Sequence, residues 1–137
     1  MILGYHIIGV IGSEEYRNKD LMFKILNDIS TERPIEMAII SGGARGPDTW
    51  AKEWNEKFGQ RRTFTLEALP TRREQDHFFL RNAIIADFAD EIVAFIIRNK
   101  YQDGSWNTIN HFRRAGKRNY VVYDENGEQW DRKWKEE

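Results

Sequence analysis

No cysteine occurs among the 137 residues. Disulfides, thiolate metal sites and a cysteine nucleophile are therefore excluded, and a reducing, cytoplasmic setting is the expectation. Net charge is nearly absent as well: 21 Lys and Arg stand against 22 Asp and Glu, a formal balance of -1. Such a mixed surface offers no electrostatic case for wrapping duplex DNA. No apolar run is long enough to cross a bilayer, so no membrane partner is expected. The start, Met1-Ile2-Leu3-Gly4, has no basic leader before a long apolar stretch, and no signal peptide is expected. His6, His77 and His111 lack metal-ligand spacing, so no metal is assigned. The Gly-x-Ser-x-Gly elbow is missing too.

What is present is a strict alternation of apolar runs and helical patterns. Tyr5 to Ile11 is apolar at nearly every position, as in a central strand covered on both faces. Lys19 to Ser30 carries Leu21, Met22, Ile25, Leu26 and Ile29 at helical spacing. Glu36 to Ile40 reads as a second strand, followed by a helix that Gly59 would end. Arg61 to Leu69 reads as a third strand near an edge. Thr71 and Glu74 form a capping box for a third helix running to about Phe88. Asp90 to Ile97 is a fourth strand, and Ser105 to about Ala115 a helix with Gly116 at its C′ position. Asn119 to Tyr123 is a fifth strand.

This alternation implies right-handed βαβ units, hence a three-layer α/β sandwich with a parallel five-stranded sheet and helices on both faces. The expected strand order is 3-2-1-4-5. Ligands bind such sheets beyond the carboxyl ends of the strands, where the order reverses. The loops after strands one, two and four should meet there: Gly12-Ser13, Ser41 to Asp48, and Asn99 to Thr108. The length suits one domain over 1–137, with a core over 5–123 and a C-terminal extension over 124–137. In that extension Asn126-Gly127 signals a hairpin. Trp130 and Trp134, four apart, equally suit a short helix. Both tryptophans need a covering surface, either their own domain or a second copy in a homo-oligomer.

The stretch Ser41-Gly42-Gly43-Ala44-Arg45-Gly46-Pro47-Asp48 is the most informative. It joins a buried strand to a helix. Its glycines free the backbone and remove Cβ atoms that would block a ligand. Pro47 suits the first helical position. Free N–H groups at the helix start attract phosphate or carboxylate, and Arg45 adds a planar cation. Asp48 favours the helix dipole or binds sugar hydroxyls. The alternative is a tight turn without a ligand. Adjacent Gly42 and Gly43 exclude the Gly-x-Gly-x-x-Gly fingerprint, and no Gly-Lys-Ser/Thr makes it a Walker loop.

Gly12-Ser13 ends the first strand as a second glycine loop. Gly104-Ser105-Trp106-Asn107-Thr108 looks like a second anion-binding helix start, with Ser105 as cap. Arg81 and Asn82 interrupt an apolar helix, so they reach water, a partner or a ligand.

Taken in order, Gly12-Ser13, Ser41-Gly42-Gly43-Ala44-Arg45-Gly46-x-Asp48, Arg81-Asn82 and Gly104-Ser105-x-Asn107 resemble the YspA/YpsA-related branch of the SLOG superfamily. That superfamily groups the DNA-processing protein A domain with the LOG phosphoribohydrolases. Many members are small bacterial or phage proteins. The resemblance covers about residues 5 to 123 and implies a Rossmann-like fold that binds nucleotides or nucleotide-derived ligands. It needs no resident cofactor. The ligand-binding residues it implies are Gly12, Ser13, Ser41, Gly42, Gly43, Ala44, Arg45, Gly46, Asp48, Arg81, Asn82, Gly104, Ser105 and Asn107.

Two positions depart from the family. Gly104-Ser105 stands where Gly-Thr is usual, which keeps a hydroxyl. The LOG enzymes carry catalytic glutamates just after that pair; the corresponding positions here are Asn107 and Thr108. Neither can serve as a carboxylate acid or base. The expectation is therefore a binding module that senses or sequesters a nucleotide-like small molecule. The alternatives are an N-glycosidic hydrolase in which Asp48 or Glu14 substitutes and, disfavoured by the near-zero net charge, a DNA-binding module as in DNA-processing proteins.

Overall fold

The computed structural model describes residues 4–33, 36–43, 45–59, 62–66 and 74–134. The strands are β1 (His6–Gly12), β2 (Met37–Ser41), β3 (Arg62–Thr65), β4 (Glu91–Phe95) and β5 (Tyr120–Tyr123). All pair in parallel, in the order β3-β2-β1-β4-β5. The helices are α1 (Lys19–Glu32), α2 (Pro47–Trp54), α3 (Glu74–Phe88) and α4 (Gly104–Arg114).

Successive strand residues point to opposite faces, and both faces are covered. Ile8, Val10, Ile39, Val93 and Phe95 pack against Met22, Leu26, Ala51 and Trp54 of α1 and α2. Ile7, Ile11, Ile40, Ile92 and Ala94 pack against Ile85, Ala89, Trp106 and Phe112 of α3 and α4. Gly9 lets α3 come close: a Cβ there would stand 3.3 Å from both Ala89 Cβ and Ile85 Cγ2.

Element bounds differ from the sequence reading in a few places. Helix α1 continues past Ser30 to Glu32. The second helix keeps α geometry to Trp54 and finishes as a π turn over Asn55–Gly59. Strand β3 stops at Thr65, because its pairing with the short β2 ends at Ser41. The Thr71 capping position and Ala44 lie outside the described residues. At α4 the cap is Asp103, not Ser105: Asp103 Oδ1 accepts from the Ser105 amide at 2.8 Å. A carboxylate two residues before an amide closes the ring that a serine at the amide's own position cannot. The other end of α4 closes with Gly116 at φ 83°, its amide donating to Arg113 O and that of Lys117 to Phe112 O.

The tail forms the hairpin alternative. Gly127 has φ 80°, and Tyr123 pairs with Gln129 in an antiparallel bridge. Asp124 organises the turn: Oδ1 accepts from the amides of Asn126 and Glu128, and Oδ2 from Arg98 Nε at 2.7 Å. Tyr16 OH donates to Asp124 O at 2.7 Å, anchoring the turn to the loop after β1. Trp130 and Trp134 dock on their own domain, packed edge-to-face on Trp106 at 5.2 and 6.0 Å between centroids. Trp130 Nε1 donates to Ile96 O, so the polar edge is satisfied as well.

At the amino end of the sheet, Arg33 makes a two-point contact to Glu91 at 2.9 and 3.0 Å, and His6 Nε2 bonds the same carboxylate. Burial opposes the Glu91 charge, yet Arg33 and His6 outweigh it and hold its pKa below the ordinary carboxylate value. No helix of the described residues is long and apolar enough to cross a membrane.

Candidate functional site

The loops after β1, β2 and β4 converge beyond the carboxyl ends of the strands. Gly12 permits the convergence. A Cβ there would lie 2.6 Å from Phe95 O and 2.6 Å from Pro47 Cγ, so only glycine lets β1, β4 and the start of α2 meet. Ser13 fastens the junction, its amide donating to Phe95 O at 2.9 Å and its Oγ accepting from Ile97 N at 3.3 Å. Ser41 Oγ donates to Asp48 O at 3.2 Å and steadies the first turn of α2. Gly46, at φ 80°, packs against the carbonyls of Ser13 and Glu14. These four residues build the site's frame.

A cleft of about 390 Å³ opens on that frame. Its walls include Gly12, Glu14, Glu15, Asp48, Arg81, Asn82, Lys100, Asp103, Gly104, Ser105 and Thr108, with Ile11 and Ile85 as its apolar part. The polar interruption in α3 is thereby explained. Arg81 reaches over the glycine loop and donates from Nη1 to Gly42 O at 3.1 Å. A Cβ on Gly42 would stand 2.8 Å from Arg81 Nε and 2.8 Å from Asp48 Oδ2. A guanidinium and a carboxylate thus gather around one missing methyl group. Asn82, one residue on, donates to Asn107 Oδ1 at 3.1 Å and links α3 to α4.

The fold at this point is on record elsewhere. It resembles DNA processing protein A. The match is to the X-ray structure of DNA processing protein A (DprA) from Streptococcus pneumoniae, with a TM-score of 0.65 at 18% identity. It covers 88% of this chain and 50% of the DprA chain, so the present sequence spans about half the length of that protein. No protein-family model and no curated protein matches the sequence. The DprA likeness therefore bears on the fold: a parallel 3-2-1-4-5 sheet with helices on both faces.

Of the sequence-derived residues, Gly12, Asp48, Arg81, Asn82, Gly104 and Ser105 line the cleft. Ser13, Ser41, Gly42 and Gly46 support it from behind. Gly43, at φ 72°, is exposed and outside the lining. Arg45 faces a neighbouring depression with Arg17 and Trp50 instead. Asn107 holds Asn82 and otherwise lines a second cavity.

Sequence reasoning placed the loop from Asn99 to Thr108 at the crevice without singling out Lys100, Asp103 or Thr108 as ligand residues, and it did not single out Glu15. Lys100 Nζ lies 3.2 Å from Glu15 and 3.8 Å from Asp103, bridging the loops after β1 and β4. The Asp-x-Ser spacing before α4 was the readable signal for Asp103; nothing local marked Lys100. The lining carries four carboxylates, Glu14, Glu15, Asp48 and Asp103, against the cations Arg81 and Lys100. Such a cleft suits hydroxyl-rich ligands with one anionic group better than a string of phosphates. Among the described residues no cluster of His, Asp and Glu is arranged to hold a metal.

Proposed function

We propose that this protein binds a nucleotide or nucleotide-derived ligand in the cleft, sensing or sequestering it, and that it is an outlying relative of the SLOG proteins. The observation that carries the reading is the meeting of Arg81 and Asp48 over Gly42. Arg81 offers a planar donor fork to a single phosphate. Asp48, Glu14 and Glu15 accept hydrogen bonds from ribose hydroxyls. The Asn82–Asn107 amide pair offers donors and acceptors to a base edge. Ile11 and Ile85 cover its face. Gly104 has open space where its Cβ would be, so a ligand can approach the backbone there.

The resemblance of the glycine-arginine loop to SLOG proteins and the DprA-like fold support this reading. In it Arg81 takes the role that the sequence suggested for Arg45. DprA is by name a DNA processing protein, so near-zero net charge alone does not dismiss nucleic acid as a ligand here. The excess of carboxylates in the cleft favours a short ligand over a polyanion.

A thermal-shift screen with nucleoside monophosphates, cyclic dinucleotides and dinucleotide cofactors tests the proposal. A ligand at about 100 times its dissociation constant stabilises by roughly 2.7 kcal/mol. No shift with any of them overturns it. Release of free base at catalytic rates would replace binding with hydrolysis, for which Asp48 and Glu14 are the carboxylates in place.

A further inference from the structure

A second cavity, about 630 Å³, adjoins the cleft. Gln102 and Asp103 line both, forming a shared wall. Tyr101, Trp106, Arg132, Lys133 and Trp134 complete much of it. Part of this lining comes from the tail beyond β5, so the cavity depends on the hairpin that folds the tail back.

Arg132 is held there in an unusual way. Its guanidinium lies 5.0 Å from the Trp134 ring centroid and 5.8 Å from that of Trp106. Its Nε is buried and makes no hydrogen bond. Among the described residues neither Arg132 nor Lys133 has an ion-pair partner, whereas Arg33 and Arg98 pair with Glu91 and Asp124. The adjacent Asp131 is committed elsewhere, accepting from Tyr120 OH, Trp134 Nε1 and the Arg132 amide. Aromatic faces, not an acid, orient this guanidinium. An arginine fixed by ring stacking keeps its remaining planar donors for an incoming anion. Tyr101 lines the same cavity, 49% exposed, its ring held edge-on against Trp130 at 5.9 Å. An exposed, braced ring and a cation in one cavity are the pairing that accepts a base and its phosphate.

We propose that the second cavity is a subsite for a second nucleotide unit. The phosphodiester binds Arg132 with help from Lys133, and the second base stacks on Tyr101. The preferred ligand is then two linked nucleotides crossing the Gln102–Asp103 wall, either free or as part of a single strand. This inference rests on the nucleotide reading of the cleft.

The test compares deoxyadenosine monophosphate, its phosphodiester-linked dimer and a ten-residue deoxyadenosine strand on the full chain by calorimetry. The dimer should bind at least about tenfold more tightly than the monomer. Arg132→Gln should bring that ratio to about one without changing monomer affinity. A strand no tighter than the dimer identifies a free dinucleotide as the ligand; a tighter, salt-sensitive strand identifies single-stranded nucleic acid. Equal affinity for monomer and dimer, or a ratio that survives Arg132→Gln, overturns the subsite.

Should the monomer not bind at all, the cleft reading fails separately. The anion site is then read with sodium phosphate and tryptophan fluorescence. A saturable change lost in Arg132→Gln upholds Arg132 as an anion receptor, and no change in the native chain refutes it. If Arg132→Gln melts early, Lys133→Gln, exposed and outside the ring stack, should give the same loss in milder form.

Discussion

Arg81, on α3, donates a hydrogen bond to the carbonyl of Gly42, just beyond β2, across 3.1 Å. Thirty-nine residues separate them in sequence. The contact sets a cation from one helix over a glycine loop that belongs to another βαβ unit.

Replacing each arginine separates the two candidate cations. Arg81→Ala is expected to abolish the ligand-induced thermal shift, and Arg45→Ala to leave it unchanged. The cleft contains the first side chain and not the second. Retained ligand binding in Arg81→Ala would remove this residue from the site.

Two glycines should respond differently to the same methyl group. Gly12→Ala meets the Phe95 carbonyl at 2.6 Å, a backbone atom that cannot swing away. A loss of about 1–3 kcal/mol in urea unfolding is expected from such overpacking. Gly42→Ala meets the ends of Arg81 and Asp48, which can turn aside. It should cost little stability while weakening the ligand by displacing both groups. Equal destabilisation by the two substitutions would contradict this.

Stability should fall at both ends of the pH scale for identifiable reasons. Burial opposes the Asp124 charge, but Arg98 and the amides of Glu128 and Asn126 outweigh it and lower its pKa below the ordinary 3.8. Its stabilisation is complete above that value and is lost as pH falls below it. Burial, reinforced by Asp124 and Glu125, pushes the Tyr16 phenol from 10.0 up to about 12. Its contribution is complete below pH 10 and disappears between there and about 12. Thermal melts across the range check both limbs. Arg98→Gln should flatten the acid limb, and Tyr16→Phe the alkaline one.

The tail should behave as part of the fold. Trp130 packs on Trp106 and donates to Ile96 O. Trp130→Ala should cost about 2–4 kcal/mol, less than a fully buried tryptophan would at the upper end of its range. Gly127→Ala also has a cost, since φ is 80° and the new Cβ would stand 3.0 Å from Leu21 side-chain carbons. Chemical denaturation measures both, and unchanged midpoints would show that the hairpin contributes nothing.

The sheet and its strand order could be read from the sequence. Runs such as Tyr5 to Ile11 and Asp90 to Ile97 have no polar face, which demands cover on both sides, and helical patterns of the right length lie between them. Those signals are local, and the handedness of βαβ units then leaves few topologies. The meeting of the three strand-end loops follows from that order.

The occupants of the cleft were decided by tertiary packing. Arg45 sits in the glycine loop and Arg81 does not, yet Arg81 covers it, because α3 packs close over Gly9 and its long side chain reaches Gly42 beyond β2. Lys100 joins two loops that only the assembled sheet brings together. The choice between hairpin and helix for the tail turned on Asp124, whose buried carboxylate gathers Arg98 and two amides from a turn that a helix would have consumed. Periodicity records which way a side chain faces along its own element. Where its far end arrives depends on elements distant in the chain, and that information is absent from any short window of sequence.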